Sequence, residues 1–139
     1  WRSPYIERRR ETGWGLYGTL GIQKGDKDAM ARQHGKNFLF FGAPVVLIFT
    51  IDNDLEKGSW LDYGMFLQNI MVLARGAGLH TCPQAAIANY PGIVKEALGI
   101  SDSQTLVCGI SMGYEDSGCV ANQFRTRRMD LDEFVTFCA

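Results

Sequence analysis

WLDYGMFLQNIMVLARGAGL, residues 60–79, is the stretch that decides the fold of this 139-residue chain. It predicts one long helix, with Ser59 as a cap at its start and Gly78 at its end. Its strongly polar residues are few: Asp62, Gln68, Asn69 and Arg75. A helix that is apolar nearly all round must be buried nearly all round. Because a domain of this size can hardly surround such a helix, we expect a second subunit to cover it, at the centre of a homodimer interface.

Upstream of this helix the pattern predicts two helices and a strand. Residues 5–20 carry helical apolar spacing, and Asp26 is a good N-cap for a second helix running toward Phe40. Gly42-Ala43-Pro44 then ends that helix. The run from Val45 to Ile51 is continuously apolar and rich in β-formers, which is typical of a strand covered on both faces.

Downstream, a short helical piece follows Pro83, and Pro91 to Leu98 predicts a helix with proline in its first turn. Residues 105–114 predict a second strand with small residues on one face, where a helix backbone or a flat ligand can approach closely. Residues 131–137 predict a short terminal helix or strand. The sequence therefore predicts an α+β fold, with a mixed sheet flanked by helices in a single domain spanning residues 1–139.

Composition narrows the class of protein. A hydrophobic content of 46% and an aromatic content of 12% favour a folded globule. The formal charge of -1 gives no sign of a nucleic-acid surface, and no apolar run reaches membrane-spanning length. The four cysteines show no CxxC spacing. Because so large a potential core has little need of a disulfide, we expect a reducing, cytoplasmic location.

Two motifs invite functional interpretations that their surroundings do not support. Residues 13–18, GWGLYG, match the dinucleotide-binding pattern GxGxxG, but the charged residues before them are not a buried strand. Close helix packing is the better interpretation of these glycines. Cys82 near His80 has no visible source of thiolate activation, so we favour a structural cysteine. The two histidines, His34 and His80, lack a third ligand, and we predict no metal site.

Four segments, taken together, carry a family resemblance. They are Gly58-Ser59-Trp60-Leu61-Asp62, Gln68-Asn69, Gly78 to Ala85, and Asn122 to Phe134. In this order and at these separations they resemble the C-terminal part of FMN-dependent nitroreductases. The resemblance implies a homodimer with FMN at the interface, NAD(P)H as cosubstrate, and a small nitroaromatic or quinone-type acceptor. It also implies that the chemistry occurs on the flavin, without a catalytic acid–base side chain.

The resemblance also assigns cofactor-binding positions: Pro83, Gln84, Ala85, Ala86, Arg125, Arg128 and Asp62. The segment Pro83-Gln84-Ala85-Ala86 would lie against the flavin ring, and Arg125 and Arg128 would approach its phosphate, which guanidinium groups suit. A solvated charge cluster is the alternative for the arginines. Asp62 would contact the ring, or serve as an ordinary carboxylate in the first turn of its helix.

Family members carry an N-terminal segment whose basic cluster helps to hold the flavin phosphate, and this chain begins downstream of it, at Trp1. We therefore expect a chain that is truncated at its N-terminus relative to the family. The alternative function is a non-catalytic, nitroreductase-derived fold that dimerises without retaining FMN.

Overall fold

The computed structural model describes residues 1–138. The helices are α1 (Tyr5–Thr19), α2 (Lys27–Gly35), α3 (Lys57–Gly76) and α4 (Pro91–Leu98), and the strands are β1 (Val45–Asp52), β2 (His80–Gln84) and β3 (Gln104–Gly113). Short 3-10 helices occupy Lys36–Gly42, Ala85–Asn89, Val120–Gln123 and Leu131–Glu133. The predicted α+β class is confirmed. Within residues 1–138, no helix has both the length and the apolarity needed to cross a membrane.

The chain divides into two compact units. The terminal unit combines Trp1–Met30 with the chain from Asp116 onward, and the central unit is Ala31–Glu115. In the central unit the sheet order is β1-β3-β2. Both strand pairs are antiparallel. A mixed sheet, with parallel as well as antiparallel pairs, was expected. The three strands of the described chain contain no parallel pair.

The core of the central unit lies on β3. Ile110 is fully buried, and Leu106 and Cys108 on the same face are nearly so, while Gly109 and Ser111 on the other face are buried as well. β1 lies at one edge of the sheet, and Ile51 is its one buried residue. The cover expected on both faces of β1 is therefore not supplied by the described part of this chain.

The small-residue face of β3 permits close packing, as predicted. A Cβ atom on Gly109 would lie 3.3 Å from Cγ1 of Ile87, which belongs to the 3-10 helix after β2. A Cβ atom on Gly113 would lie 2.7 Å from Cδ of Pro44, closer than real contacts allow. Glycine is therefore required at position 113 unless the segment before β1 moves.

Three local predictions were wrong. α3 begins one turn earlier than expected, because the Trp60 N–H donates to the Glu56 carbonyl at 3.2 Å, so Ser59 lies inside the helix and does not cap it. The helix predicted to reach Phe40 ends as an α-helix at Gly35 and continues as a 3-10 helix. β2 was not predicted, and its Pro83 is tolerated because proline is compatible with an edge strand.

Candidate functional site

Gln84 is the centre of the candidate site in the central unit. It ends β2, its side chain is 2% exposed, and both ends of its amide are used. The amide Nε2 donates to the backbone oxygen of Asn37 at 2.8 Å and lies 3.4 Å from the Asn37 Oδ1. The Ser111 hydroxyl donates to the Gln84 Oε1. This buried amide forms its hydrogen bonds within the protein. The Gln84 side chain therefore links Asn37 to Ser111 and is not directed at a ligand.

The neighbours of Gln84 face the other way. Pro83 and Ala85 are exposed, and Ala86 is half-buried. Ile87 is 3% exposed and anchors the 3-10 helix Ala85–Asn89 on β3. The sequence-predicted segment Pro83 to Ala86 is thus one continuous ledge, fixed from behind by Gln84 and Ile87 and open in front. Such a ledge offers rigid backbone groups to a flat ligand.

The segment Lys36–Gly42, called here the aromatic turn, packs beside this ledge. Phe40 and Phe41 both have left-handed backbone conformations, with φ values of 50° and 54°. Bulky residues rarely adopt this conformation, and each instance costs about 1–3 kcal/mol. Phe38 stacks edge-to-face on Tyr90, with ring centroids 5.3 Å apart. The surrounding contacts therefore hold the aromatic turn in a strained form.

Asp62 lies elsewhere in the central unit. With residues from β1, β3 and the start of α3 it lines a cleft of about 470 Å³: Thr50, Ile51, Asp52, Leu55, Ser59, Tyr63, Phe66 and Gln104. Tyr63 donates its hydroxyl to the Thr50 carbonyl at 2.8 Å. Desolvation, reinforced by nearby Cys108, raises the pKa of Tyr63 to about 12. The cleft residues that the structure describes do not include Pro83, Gln84, Ala85 or Ala86.

Arg125 and Arg128 belong to the terminal unit. Both are exposed, and they line a cleft of about 280 Å³, the arginine cleft, with Arg8, Glu11, Thr12, Gly15, Phe124, Thr126, Arg127, Met129 and Glu133. Nη1 of Arg125 donates to the Asn122 carbonyl, and Nη1 of Arg128 donates to the Thr126 hydroxyl. Other donors on each guanidinium point away from these local bonds, as the fork geometry of arginine dictates.

Arg127 differs from its two neighbours because it pairs with a carboxylate. Its Nη2 lies 2.5 Å from Oε1 of Glu133, which also accepts the Asp130 backbone N–H at 3.1 Å. That backbone hydrogen bond, with the nearby charges of Arg127 and Arg8, lowers the pKa of Glu133. Glu133 therefore stays ionised and forms an ion pair with Arg127. Arg125 and Arg128 have no such carboxylate partner in the described chain, so they are better placed to bind an external anion.

The structure also shows what surrounds the motifs for which a functional interpretation was rejected. Residues 13–18 lie inside α1, where a Cβ on Gly15 would come within 2.7 Å of the Phe124 ring, so this glycine serves close packing. Desolvation raises the pKa of the Cys82 thiol, which disfavours a thiolate. His80 is engaged by Glu115, whose Oε2 lies 3.2 Å from its Nε2. In residues 1–138, no three His, Cys, Asp or Glu side chains are grouped to hold a metal ion.

Comparison with known proteins identifies the family to which this chain belongs. Residues 8–114 match the sequence model of the Nitroreductase family. The chain belongs to the nitroreductase family, and the resemblance found in its four sequence segments is confirmed.

Particular relatives extend this finding. The chain is 48% identical over 133 residues to a 4-nitrobenzoate reductase of Pseudomonas putida, an alignment that covers 96% of this chain and 59% of that protein. The structure superposes on the FMN and NADPH-dependent nitroreductase NfnB of Sphigopyxis sp. strain HMH with a TM-score of 0.96 and 34% identity, covering 100% of this chain and 62% of that one. The FMN-dependent nitroreductase NfnB of Mycobacterium smegmatis, in complex with NADPH, gives a TM-score of 0.93 at 31% identity, again with 100% and 62% coverage.

The chain thus spans between 59% and 62% of the length of these three proteins. All three are named as reductases, so the non-catalytic alternative is not favoured.

Sequence reasoning missed Asn37, Ser111 and the left-handed Phe40 and Phe41. The small residues on β3 indicated a close approach at Ser111, but the partner 27 positions earlier in the chain is a tertiary contact without a local signal. The Asn37 contact with Gln84 spans 47 positions. Two phenylalanines before Gly42 give no indication of positive φ, because tertiary contacts impose that conformation against their preference.

Proposed function

We propose that this chain contributes the flavin-binding fold of an FMN-dependent nitroreductase, which transfers reducing equivalents from NAD(P)H to a nitroaromatic acceptor. The observation that carries the proposal is the ledge at Pro83 to Ala86, with Gln84 turned inward and its neighbours outward. Relatives named as 4-nitrobenzoate reductase and as FMN and NADPH-dependent nitroreductase support this chemistry. A quinone-type acceptor stays a prediction of the sequence resemblance.

The ledge suits the ring of FMN for a geometric reason. β2 is an edge strand in the described chain, so part of its backbone donors and acceptors face away from β3. Pro83 and the 3-10 helix Ala85–Asn89 fix those groups rigidly. Preorganised backbone donors stabilise the negative charge that a flavin ring gains on reduction. Bound FMN would supply the redox chemistry, namely transfer of a hydride equivalent from a nicotinamide to a nitro group.

Arg125 and Arg128 suit the phosphate of FMN. Their guanidinium groups are exposed and anchored at Nη1, while Glu133 neutralises Arg127. A charge-assisted hydrogen bond to phosphate contributes about 1.5–3 kcal/mol. Asp62 stays proposed as a ring contact, although its cleft is lined by other residues than the ledge.

A homodimer built on α3 completes the proposal, within one nitroreductase-like domain formed by residues 1–139. Only Ala74 of α3 is buried in the single chain. Several of its large apolar side chains are more than half exposed: Leu61, Met65, Phe66, Val72 and Leu73. Exposed apolar side chains gathered on one helix are typical of a subunit interface.

The test of cofactor binding is a titration of the purified chain with FMN and, separately, with riboflavin, followed by flavin fluorescence. We expect both flavins to bind, and FMN to bind more tightly. Arg125→Gln and Arg128→Gln should each weaken FMN binding about 10- to 100-fold, since each removes a charge-assisted contact to phosphate. Neither substitution should change the affinity for riboflavin, which lacks the phosphate.

Arg10→Gln is the matched control, because Arg10 is an exposed arginine of the terminal unit that does not line the arginine cleft. It should bind both flavins as the wild-type chain does. Equal losses of FMN and riboflavin binding in the Arg125 variant would contradict a phosphate role. A wild-type chain that binds neither flavin would contradict the proposed function itself.

A further inference from the structure

We propose that Arg8 is a third phosphate-binding residue of the arginine cleft, acting with Arg125 and Arg128 on one phosphate monoester. The inference rests on the proposed function and deepens it, because that function assigns only Arg125 and Arg128 to the phosphate. Arg8 lies on α1, near the opposite end of the sequence. A bound phosphate would therefore join two separate segments of the terminal unit.

One face of α1 lines the arginine cleft. The residues that it contributes follow Arg8 at three, four and seven positions, which places them on one side of a helix: Arg8, Glu11, Thr12 and Gly15. The other lining residues belong to the segment 124–133. A Cβ atom on Gly15 would lie 2.7 Å from the Phe124 ring, so the missing side chain lets this segment come close to the helix. Arg8 thereby lines the same cleft as Arg125 and Arg128.

The charges that line the cleft match those of a phosphate monoester. Four arginines and two glutamates line it, which leaves a formal excess of two positive charges. Among these arginines, Arg127 is the one that forms an ion pair within residues 1–138, and its partner is Glu133. A phosphate monoester carries about −1.5 to −2 charges at pH 7. The remaining three guanidinium groups can therefore be neutralised by one such anion.

The position of the Arg8 guanidinium supports this role. Its charge, after the Asp130 backbone hydrogen bond and together with the charge of Arg127, lowers the pKa of Glu133, a residue that lines the cleft. Its guanidinium carbon lies over the Tyr5 ring, 5.9 Å from the centroid. A guanidinium placed over an aromatic ring keeps its in-plane N–H donors available. Those donors suit a phosphate oxygen.

The direct test is a calorimetric titration of the full chain with inorganic phosphate, in the absence of flavin. Arg8→Gln should weaken phosphate binding about 10-fold, since it removes a charge-assisted contact. Arg9→Gln is the matched control, because it makes the same change one position along α1, at an exposed arginine that does not line the cleft. It should bind phosphate as the wild-type chain does. An equal loss in both variants would show that only the net charge matters and would overturn the inference.

Paired cofactors identify the source of the phosphate. Arg8→Gln should weaken binding of FMN about 10-fold and leave the affinity for riboflavin unchanged. NADPH carries a phosphate monoester that NADH lacks, so the KM for each is measured in the chain saturated with FMN. Both constants should stay at their wild-type values. A KM raised for NADPH alone, with the FMN affinity unchanged, would support a phosphate-monoester site at Arg8 and contradict its assignment to the flavin.

A second variant separates the charge of Arg8 from its hydrogen-bonding geometry. Arg8→Lys keeps the charge but loses the planar fork, so it should weaken binding of inorganic phosphate and FMN less than Arg8→Gln does. Unchanged binding of both ligands in Arg8→Gln would overturn the inference and leave the proposed function intact. A wild-type chain that binds inorganic phosphate through Arg8 but binds neither flavin would contradict the proposed function and leave the phosphate site standing.

Discussion

The pKa of Tyr63 is shifted by the surroundings of its side chain. Its hydroxyl donates to the Thr50 carbonyl, and desolvation followed by the influence of Cys108 raises its pKa from 10.0 to about 12. A raised tyrosine pKa means that the folded state favours the protonated phenol. Its contribution to stability is therefore complete below pH 10 and is lost as the pH rises through about 12.

We expect an ultraviolet titration of the folded chain to show a late tyrosine ionisation, near pH 12. Tyr63→Phe should abolish that late step and leave the rest of the curve unchanged. The same variant should lose the stabilising hydrogen bond, at a cost of about 1 kcal/mol in the free energy of unfolding. A late step that survives in Tyr63→Phe would show that another tyrosine is responsible.

Gly13 and Gly15 offer a second prediction at the scale of single residues. Both lie inside α1, but a Cβ on Gly13 would meet no atom within 4 Å, whereas one on Gly15 would meet the Phe124 ring at 2.7 Å. Gly13→Ala should raise the free energy of unfolding by about 0.5–1 kcal/mol, because alanine favours the helix. Gly15→Ala should lower it by about 1–3 kcal/mol through overpacking against Phe124.

Urea denaturation followed by circular dichroism measures both changes. The two variants act as controls for each other, since they make the same change two positions apart on one helix. Equal stabilisation by both would contradict the packing of Phe124 on α1.

These residues also show where sequence reasoning stopped. Close packing was predicted for the glycines in residues 13–18, because a charged stretch cannot be the strand that a dinucleotide motif requires, and the structure shows it at Gly15 but not at Gly13 or Gly18. The partner, Phe124, was not predicted, since it lies more than a hundred positions away. Gln84 was assigned to the flavin from a family pattern through the backbone of its segment, which stays a prediction, and its side-chain amide faces Asn37 and Ser111. A linear pattern cannot tell which way a side chain turns.

Among the elements, α3 is the one whose surroundings remain incomplete in a single chain. Its apolar composition predicted burial nearly all round, and the structure buries only Ala74. Leu73 is 73% exposed and Leu61 is 67% exposed. Exposing so much apolar surface on one helix is unfavourable in water. A second copy of the chain is therefore the proposed cover.

We expect Leu73→Glu to weaken self-association at least about 30-fold, because a buried interface leucine is replaced by a charge that would lose its hydration. The folded monomer should be little affected, since position 73 is exposed there. Sedimentation equilibrium measures the association constant. Leu98→Glu on α4, at a leucine 56% exposed, is the matched control and should associate as the wild-type chain does. A monomeric wild-type chain would contradict the dimer proposal.

Element prediction succeeded where the hydrophobic period was strong and failed where proline or tertiary contacts intervened. β1, β3, α1, α3 and α4 lie close to their predicted positions. β2 was not predicted, and its Pro83 is tolerated because the strand lies at the edge of the sheet. The end of α2 was misplaced, since the chain changes from α-helix to 3-10 helix after Gly35 and reaches positive φ only at Phe40 and Phe41.

At the scale of the whole molecule, the proposals concern the catalytic activity of this chain. It matches nitroreductases over residues 8–114 and spans 59% to 62% of the length of the relatives compared above. The ledge at Pro83 to Ala86 is held in place by the fold. The exposed Arg125 and Arg128 have further guanidinium N–H donors beside those that form local hydrogen bonds. These features predict that the chain binds FMN and that bound FMN is accessible to both a nicotinamide and a nitroaromatic compound.

The most direct measurement is an anaerobic half-reaction study of the FMN-loaded chain, followed by flavin absorbance. NADPH should bleach the flavin, and 4-nitrobenzoate added afterwards should restore its colour, with NADPH consumed in proportion to the flavin reduced. That result would support the proposed flow of electrons from nicotinamide to nitro group. A flavin that NADPH bleaches but 4-nitrobenzoate cannot reoxidise would contradict the proposed acceptor. A chain that retains no flavin would contradict the account as a whole.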